Sequence, residues 1–514
     1  MKKVFSEPAE LEKIAKEKYC IPDFLMMEHA ANFMKDFILK IAEEKNLSKP
    51  SVLIICGKGN NGGDGYALAR LLSDHAEVSV FQLFDASGKE AITQATMCQK
   101  LNIPITDKTQ AFNQLSNLDT NNFQPDFIVD CIFGTGFRPP LSAEIKALLD
   151  TVNSLSSIKI ACDIPSALYF KADYTITMGQ LKTVLFSDTA KNVCGKILTA
   201  PLGLPTEAFE SGMDTKVFLI EKADVKLPLR KEKASHKGSY GHTTVIAGKN
   251  SGAAILSATA ALNFGSGLTS LVKTPQSNLE QFKISPELMI SNSIPEKTTC
   301  IAMGSGIDFK SENKSNSAPD SIDINLIIET FTKWFCNKAK NPSALLDAGF
   351  FDYDSLCPLL EKLNAVPDAR IVLTLHLSEL NRFLQKVNKA YPEVFPKDID
   401  ISVKNLAENV QVKIKIGQII NKIFPQTVLV MKSANTFIAA ENQIFICTDG
   451  CQNLAKGGSG DILAGMTAAL LSQGYSAKEA AITACESHAL ASKAFGEENY
   501  DLSPLKLLAL LPLV

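Results

Sequence analysis

Asp64, Asp130 and Asp163 each stand near an apolar run with glycine or serine within a few residues, in CGKGNNGGDG, VDCIFGTGF and ACDIPSA. Carboxylates so placed can hold a hard cation, carry a proton, or cap a turn. Asp461 occupies a fourth such place, KGGSGDILAGM. There a glycine-rich turn opens a helix whose free N–H groups suit a transferring phosphoryl group. The carboxylate in its first turn can take a proton from the attacking hydroxyl. Residues 56–72, CGKGNNGGDGYALARLL, hold five glycines between an apolar run and a helical run, yet match neither GxGxxG nor GK[ST].

These residues need strands and helices to hold them. In the first half SVLIIC, EVSVFQL, FIVDCIF, SIKIACDI and YTITMG read as strands, with helical runs between them. The charged segment 223–241, carrying Pro228, reads as a linker. Alternation resumes with TTVIAG, an Ala-rich helix over 253–266, then TCIAMGSG, SALLDAG, RIVLTLH, TVLVMK and TFIAA. The pattern predicts α/β architecture: two three-layer domains, residues 1–222 and 223–514, each a mostly parallel sheet with helices on both faces. The polar stretch near residue 315 reads as a surface insertion. In such sheets ligands collect beyond the carboxyl ends of the strands, which is where the glycines and carboxylates fall.

Bulk properties narrow the partners. The 514 residues carry a net charge of −3 with 21% charged residues, and the pI is near 6.2. Nothing in that balance suggests a nucleic-acid or membrane-surface partner. The start has two lysines but no apolar run, so no signal peptide is expected, and no stretch approaches the ~20 apolar residues of a membrane span. Twelve cysteines include no CxxC pair; Cys447 and Cys451 are the closest. Reduced thiols in a cytoplasmic protein are the expectation.

CGKGNNGGDGYALAR, VDCIFGTGF and ACDIPSA, in that order and preceded by FLMMEHAANFM, resemble the NAD(P)H-hydrate epimerase family across essentially residues 1–220. The resemblance implies a Rossmann-like domain acting on hydrated NADH or NADPH. By position, Asn60, Asn61, Gly62, Gly63 and Asp64, with Gly134, Thr135, Gly136, Phe137, Arg138, Pro139 and Pro140, would line the substrate. Asp163 would contact the nicotinamide end and act as acid and then base. Asn61, Asp130 and Ser166 would hold a potassium ion. Their hard oxygen donors agree with that and exclude a zinc or copper site, though Asp130 read alone is equally a buried structural carboxylate. Two departures stand out: Ala167 where the family has glycine, and a shortened following loop, LYFKADY.

In the second half HKGSYGHTTVIAG, GAAILSATAALNFGSGLTSL, PELMI, TLHLSEL, VLVMKSANTFIA and GGSGDILAG resemble, in order, the ADP- or ATP-dependent NAD(P)H-hydrate dehydratases of the ribokinase-like superfamily. The resemblance covers roughly residues 227–514 and makes ADP the first choice. Ala253, Gly306, His376 and Asp461 would contact the hydrated cofactor. Lys432, Ser433, Ala434, Asn435, Thr436 and Gly460 would hold the adenine nucleotide. Magnesium is expected from the phosphoryl chemistry, and a homo-oligomer is possible. Read alone, Lys432 is a solvated strand-end lysine and His376 a core histidine. Asp347 is assigned no role. Here too the pattern departs: HLSE at 376–379 replaces HPGE, KSANT at 432–436 replaces KGAGT, and GSG at 304–306 replaces GPG.

Two rivals stand beside this reading. One is a ribokinase-like kinase of a vitamin-like alcohol; the other is a nucleotide-binding scaffold with unused sites. The fused epimerase-like half argues against the first. The retained Asp64, Asp130, Asp163 and Asp461 argue against the second.

Overall fold

The computed structural model describes residues 1–116, 124–309, 324–396 and 398–511; the polar insertion near residue 315 lies outside them. The chain forms two compact units, Lys3–Thr215 and Lys216–Val514 with Met1–Lys2.

The first unit is built on a seven-stranded sheet, parallel throughout. At its centre lie Ser51–Cys56, Phe127–Cys131 and Ile158–Cys162. Alternate residues of each strand serve opposite faces, as the pleat requires. Val52, Ile54 and Cys56 join the core that includes Met34, Ile38, Tyr66 and Leu68 of helices Asp23–Glu44 and Asn60–Leu72. Leu53 and Ile55 join the one under helix Ala143–Ser154, with Ile145, Leu148 and Leu149. Continuous β-branched runs are therefore buried on both sides, which is why they read as unbroken apolar stretches.

In the second unit a sheet runs in the order Met289–Ser291, Leu268–Lys273, His242–Ala247, Cys300–Met303, Ser343–Asp347, Arg370–His376, Thr427–Lys432, Thr436–Ala440, Gln443–Cys447, Val217–Leu219. Only the pairings around Thr436–Ala440 are antiparallel. One face carries helices Ser251–Asn263, Ser459–Ser472 and Ala477–Ala494, packed through small residues such as Ala258, Ala261, Ala464 and Ala468. Gly465 lets two of them touch: a Cβ there would lie 2.1 Å from the Ser257 carbonyl oxygen. The segment read as a linker is partly built into this unit. It holds short 3₁₀ turns at Lys222–Asp224 and Lys237–Tyr240, and Leu227 packs against the core.

The twelve cysteines form no disulfide among the described residues: Cys20 is exposed, Cys336 and Cys451 are half-buried, and the rest are buried. No helix among the described residues is long and apolar enough to cross a membrane.

Candidate active sites

In the first unit the glycine-rich stretch is not a loop ahead of a helix. The helix begins at Asn60, so Gly62, Gly63 and Gly65 are helical. They are needed because the helix presses on the sheet: a Cβ at Gly62 would sit 2.0 Å from the Gly57 carbonyl oxygen, and one at Gly65 would sit 2.7 Å from Cys56 Sγ. This close approach sets Asp64 in the helix just past its first turn, 9% exposed, with Cys162 Sγ 3.8 Å from its Oδ2. The segment Gly134–Pro140 follows the strand Phe127–Cys131. Thr135, Gly136, Arg138, Pro139 and Pro140 are exposed, and Arg138 folds back onto the carbonyls of Thr135 and Phe137.

Asp163 ends the strand Ile158–Cys162 with left-handed backbone, φ 69°. Its Oδ1 accepts from the Met178 N–H at 3.1 Å and the Thr177 hydroxyl at 3.3 Å, and it pairs with the fully buried Lys182 ammonium. Lys182 carried no signal in the sequence beyond a lysine after an apolar strand. Asp163 Oδ2 faces Gly134, 3.4 Å from where a Cβ would stand, and the Asn61 side chain lies on the same side. Four titratable groups thus act on one another at this strand end: Asp64, Asp163, Lys182 and Glu12 of helix Pro8–Tyr19. Burial pushes the Asp64 carboxyl well above the ordinary range, and Asp163 and Glu12 add to it. Burial raises Glu12 as well, with Lys182 opposing.

Asp130 and Ser166 meet as the sequence suggested. Asp130 accepts from the Ser166 N–H at 2.7 Å and hydroxyl at 2.6 Å, and from the Ile132 N–H at 3.1 Å. Burial lifts its carboxyl to about 6 against these hydrogen bonds, and no basic side chain pairs with it among the described residues. The Phe133 carbonyl lies 3.5 Å from the Ser166 hydroxyl, and Asn61 Nδ2 is buried without a hydrogen-bond partner. A buried, uncompensated carboxylate among neutral oxygens fits a monovalent cation. Ala167 takes left-handed backbone, φ 56°, as does Leu168, φ 49°; the alanine holds the conformation glycine would adopt freely.

In the second unit five strand ends and one helix start converge. Lys432 Nζ donates to Asp347 Oδ1 at 3.0 Å, and Asp347 also accepts from the Thr374 hydroxyl at 2.7 Å. Lys432 Nζ stands 3.6 Å from where a Gly460 Cβ would be. Burial lowers the Lys432 ammonium, but Asp347, Glu379 and Asp461 together raise it above the ordinary lysine range. Asp461 lies in the first turn of helix Ser459–Ser472. Burial and the nearby Asp347 lift its carboxyl to about 7, while a Ser305 hydrogen bond and Lys432 restrain the rise. A carboxylate poised there is suited to general-base work near neutral pH. Ser305 is the residue that makes GSG out of GPG, and it stands close enough to Asp461 to lower its carboxyl against burial.

Ala253 and Gly306 are joined through Asn250, whose N–H donates to the Gly306 carbonyl while its carbonyl accepts from the Ala253 N–H. His376 caps helix Leu377–Ala390: its Nδ1 accepts the Ser378 and Glu379 N–H groups, and Nε2 lies 3.1 Å from Glu379 Oε1. It is more than half exposed, so it is no core histidine. Burial raises Glu379, but His376 and Lys432 bring it net below the usual carboxylate range. Leu377 and Ser378 are helical, so the glycine of HPGE is not required here.

Ser433, Ala434 and Asn435 turn the hairpin between Thr427–Lys432 and Thr436–Ala440. None of them has left-handed backbone, which removes the conformational reason for glycine at 433 and 435. The Ser433 hydroxyl accepts from the buried Lys413 ammonium at 2.8 Å and donates to the Asn435 carbonyl at 2.7 Å. Ala434 is exposed at the tip. Lys413 and Asp347 were missed or left without a role in the sequence. So was His488, whose Nε2 lies 3.1 Å from the Ser459 carbonyl and 3.3 Å from its hydroxyl, bracing the glycine turn. Among the described residues no three His, Cys, Asp or Glu side chains converge as a metal centre, so no protein ligand is assigned to magnesium.

Known proteins are similar to both units of the chain. Residues 243–512 match the family described as NAD(P)H-hydrate dehydratase, and residues 23–184 match the YjeF-related protein N-terminus. The bifunctional NAD(P)H-hydrate repair enzyme Nnr of Helicobacter pylori is 35% identical over 517 residues, covering 99% of each chain. This chain belongs to the bifunctional NAD(P)H-hydrate repair enzymes. The NAD(P)H-hydrate epimerase of Elusimicrobium minutum is similar to the first unit, 32% identical over 219 residues, 40% of this chain and 98% of that one. Among solved structures, an ADP/ATP-dependent NAD(P)H-hydrate dehydratase from Bacillus subtilis is 22% identical with a TM-score of 0.42, covering 55% of this chain and 91% of its own. As a member of that repair family, the chain unites an isomerase and a lyase in one polypeptide.

Proposed function

We propose that residues 1–222 interconvert the R and S hydrates of NADH and NADPH, and that residues 223–514 return the S hydrate to the reduced cofactor at the expense of ADP or ATP. The observation that carries the reading is the meeting of Lys432, Asp347 and Asp461 beside Gly460 and the helix start. In the dehydration the Asp461 carboxylate takes the proton of the C6 hydroxyl, whose oxygen attacks the terminal phosphorus of the nucleotide. The phosphoryl bond to the nucleotide breaks, and Lys432 with the helix N–H groups offsets the charge that develops. The ring nitrogen lone pair then expels phosphate from C6, and loss of a C5 proton restores the dihydronicotinamide. Magnesium carried on the nucleotide would supply charge neutralisation for the phosphates.

In the epimerising half Asn61, Asp130 and Ser166 would hold potassium beside the substrate loop, and bound potassium would supply a fixed positive charge to the buried Asp130. The hydroxyl-bearing carbon is bonded to ring nitrogen, so departing water leaves a stabilised iminium that water re-enters from either face. The protein acts on small molecules in solution, with no nucleic-acid or membrane partner, in the cytoplasm and as a homo-oligomer. The test incubates heat-generated NADH hydrates with the full chain, with and without ADP. Recovery of reduced-nicotinamide absorbance with ADP, and exchange of the two hydrates without it, is the expected result. ADP consumption with no recovery would point to a small-molecule kinase, and neither signal would point to a scaffold.

A further inference from the structure

Two aspartates, one lysine and one glutamate act on one another at the strand end of the first unit, and their surroundings differ. Asp163 has one oxygen saturated, by the Lys182 ammonium, the Met178 N–H and the Thr177 hydroxyl. Its other oxygen faces the open side at Gly134 and accepts no hydrogen bond among the described residues. Asp64 has no ammonium or guanidinium as a hydrogen-bonded partner among the described residues; its one such contact is the Cys162 thiol at 3.8 Å. A single lysine cannot balance three carboxylates, so a proton must reside among them.

We propose, within the epimerase reading given above, that Asp64 is the proton-carrying acid of the exchange and that Asp163, paired with Lys182, is the standing negative charge. Environment would then divide the acid and base roles between two neighbouring carboxylates rather than giving both to Asp163. The Asp64 proton passes to the C6 hydroxyl, the C–O bond breaks with its electron pair leaving on water, and the ring nitrogen lone pair forms the iminium. The Asp163 carboxylate stabilises that cation. Water then adds to either face and returns its extra proton to Asp64, so nothing is consumed.

The groups facing Asp64 support this. Asp163 and Glu12 push its carboxyl up, Lys182 opposes them, and Cys56, Cys131 and Cys162 are themselves thiols raised by burial and remain neutral. Burial and these neighbours favour the protonated form of Asp64, and the exchange is expected to fall as alkaline pH removes that proton.

The experiment follows R-to-S exchange chromatographically in the full chain without nucleotide, across pH, for wild type, D64N, D64E and K182M. Urea unfolding and near-UV circular dichroism of the same preparations report that the first unit is folded, and ADP-driven dehydration of the S hydrate reports the second. D64N is expected to slow exchange by at least about 100-fold, D64E to retain exchange with its alkaline limb displaced, and K182M to lose the division of roles and broaden the profile. Should D64N exchange at the wild-type rate, or D64E keep the wild-type alkaline limb, the assignment is overturned. If the unfolding curve shows D64N misfolded in the first unit, the D64E limb decides. A wild-type chain that exchanges nothing would bring down the epimerase reading itself, which is a different failure.

Discussion

The Lys432 ammonium and the Asp347 carboxylate, 3.0 Å apart at the ends of strands separated by one neighbour, form the ion pair on which the second site is built. Asp347 is 4% exposed at its side chain and Lys432 20%. Removing the lysine leaves a buried charge without its partner, which is strongly destabilising. Lys432→Met should therefore cost about 3 kcal/mol in denaturant unfolding and raise the apparent KM for ADP. Lys432→Met combined with Asp347→Leu should recover much of the stability while leaving the KM high. A double variant with normal nucleotide affinity would remove Lys432 from the nucleotide site.

The raised Asp461 carboxyl makes a prediction of opposite sign for rate and stability. As a base it must be ionised, so dehydration should rise with pH through about 7. The folded protein meanwhile binds a proton there that the unfolded chain releases near pH 4, so ionising Asp461 in place opposes folding. Asp461→Asn should abolish dehydration, yet stabilise the chain at pH 8 by up to ~4 kcal/mol, with the gain vanishing toward pH 4. Urea unfolding at the two pH values measures it.

Ser305 restrains that rise. Ser305→Ala removes a hydrogen bond to the ionised form, and the acid limb of the dehydration profile should move up by about one pH unit. An unmoved limb would show that the hydroxyl does not set the Asp461 proton affinity.

Ala167 holds left-handed backbone beside Ser166. Ala167→Gly should raise stability by about 1 kcal/mol, read as a higher urea midpoint, with hydrate exchange unchanged. A lower midpoint would mean that the alanine methyl packs usefully.

The strands that hold the sites were legible because buried parallel strands leave unbroken apolar runs: SVLIIC, FIVDCIF, RIVLTLH and TVLVMK all became strands near their expected bounds. The hairpin that brings in Gln443–Cys447 was not. Its turn residues, Glu441 and Asn442, both have left-handed backbone, φ 52° and 60°, and the glycine that usually marks such a turn is missing. Short strands such as Ile105–Asp107 and Met289–Ser291 lack the length for a periodic signal. At the sites, carboxylates next to glycines could be found by type and spacing. Their partners could not: Asp347 meets Lys432 across 85 residues of chain, and Lys182 reaches Asp163 from the far end of a different strand. Charge pairing of this kind is decided by sheet order, which no local pattern records.

Cys56, Cys131 and Cys162 stand at the ends of three neighbouring strands with no exposed surface, leaving Cys20 as the solvent-facing thiol. A maleimide dye should accordingly attach at Cys20 in the native protein without any engineered substitution, while the sulfurs beneath the carboxylates react only after unfolding. The unaltered chain thus carries its own fluorescent attachment point at Cys20, with the half-buried Cys336 and Cys451 as slower sites.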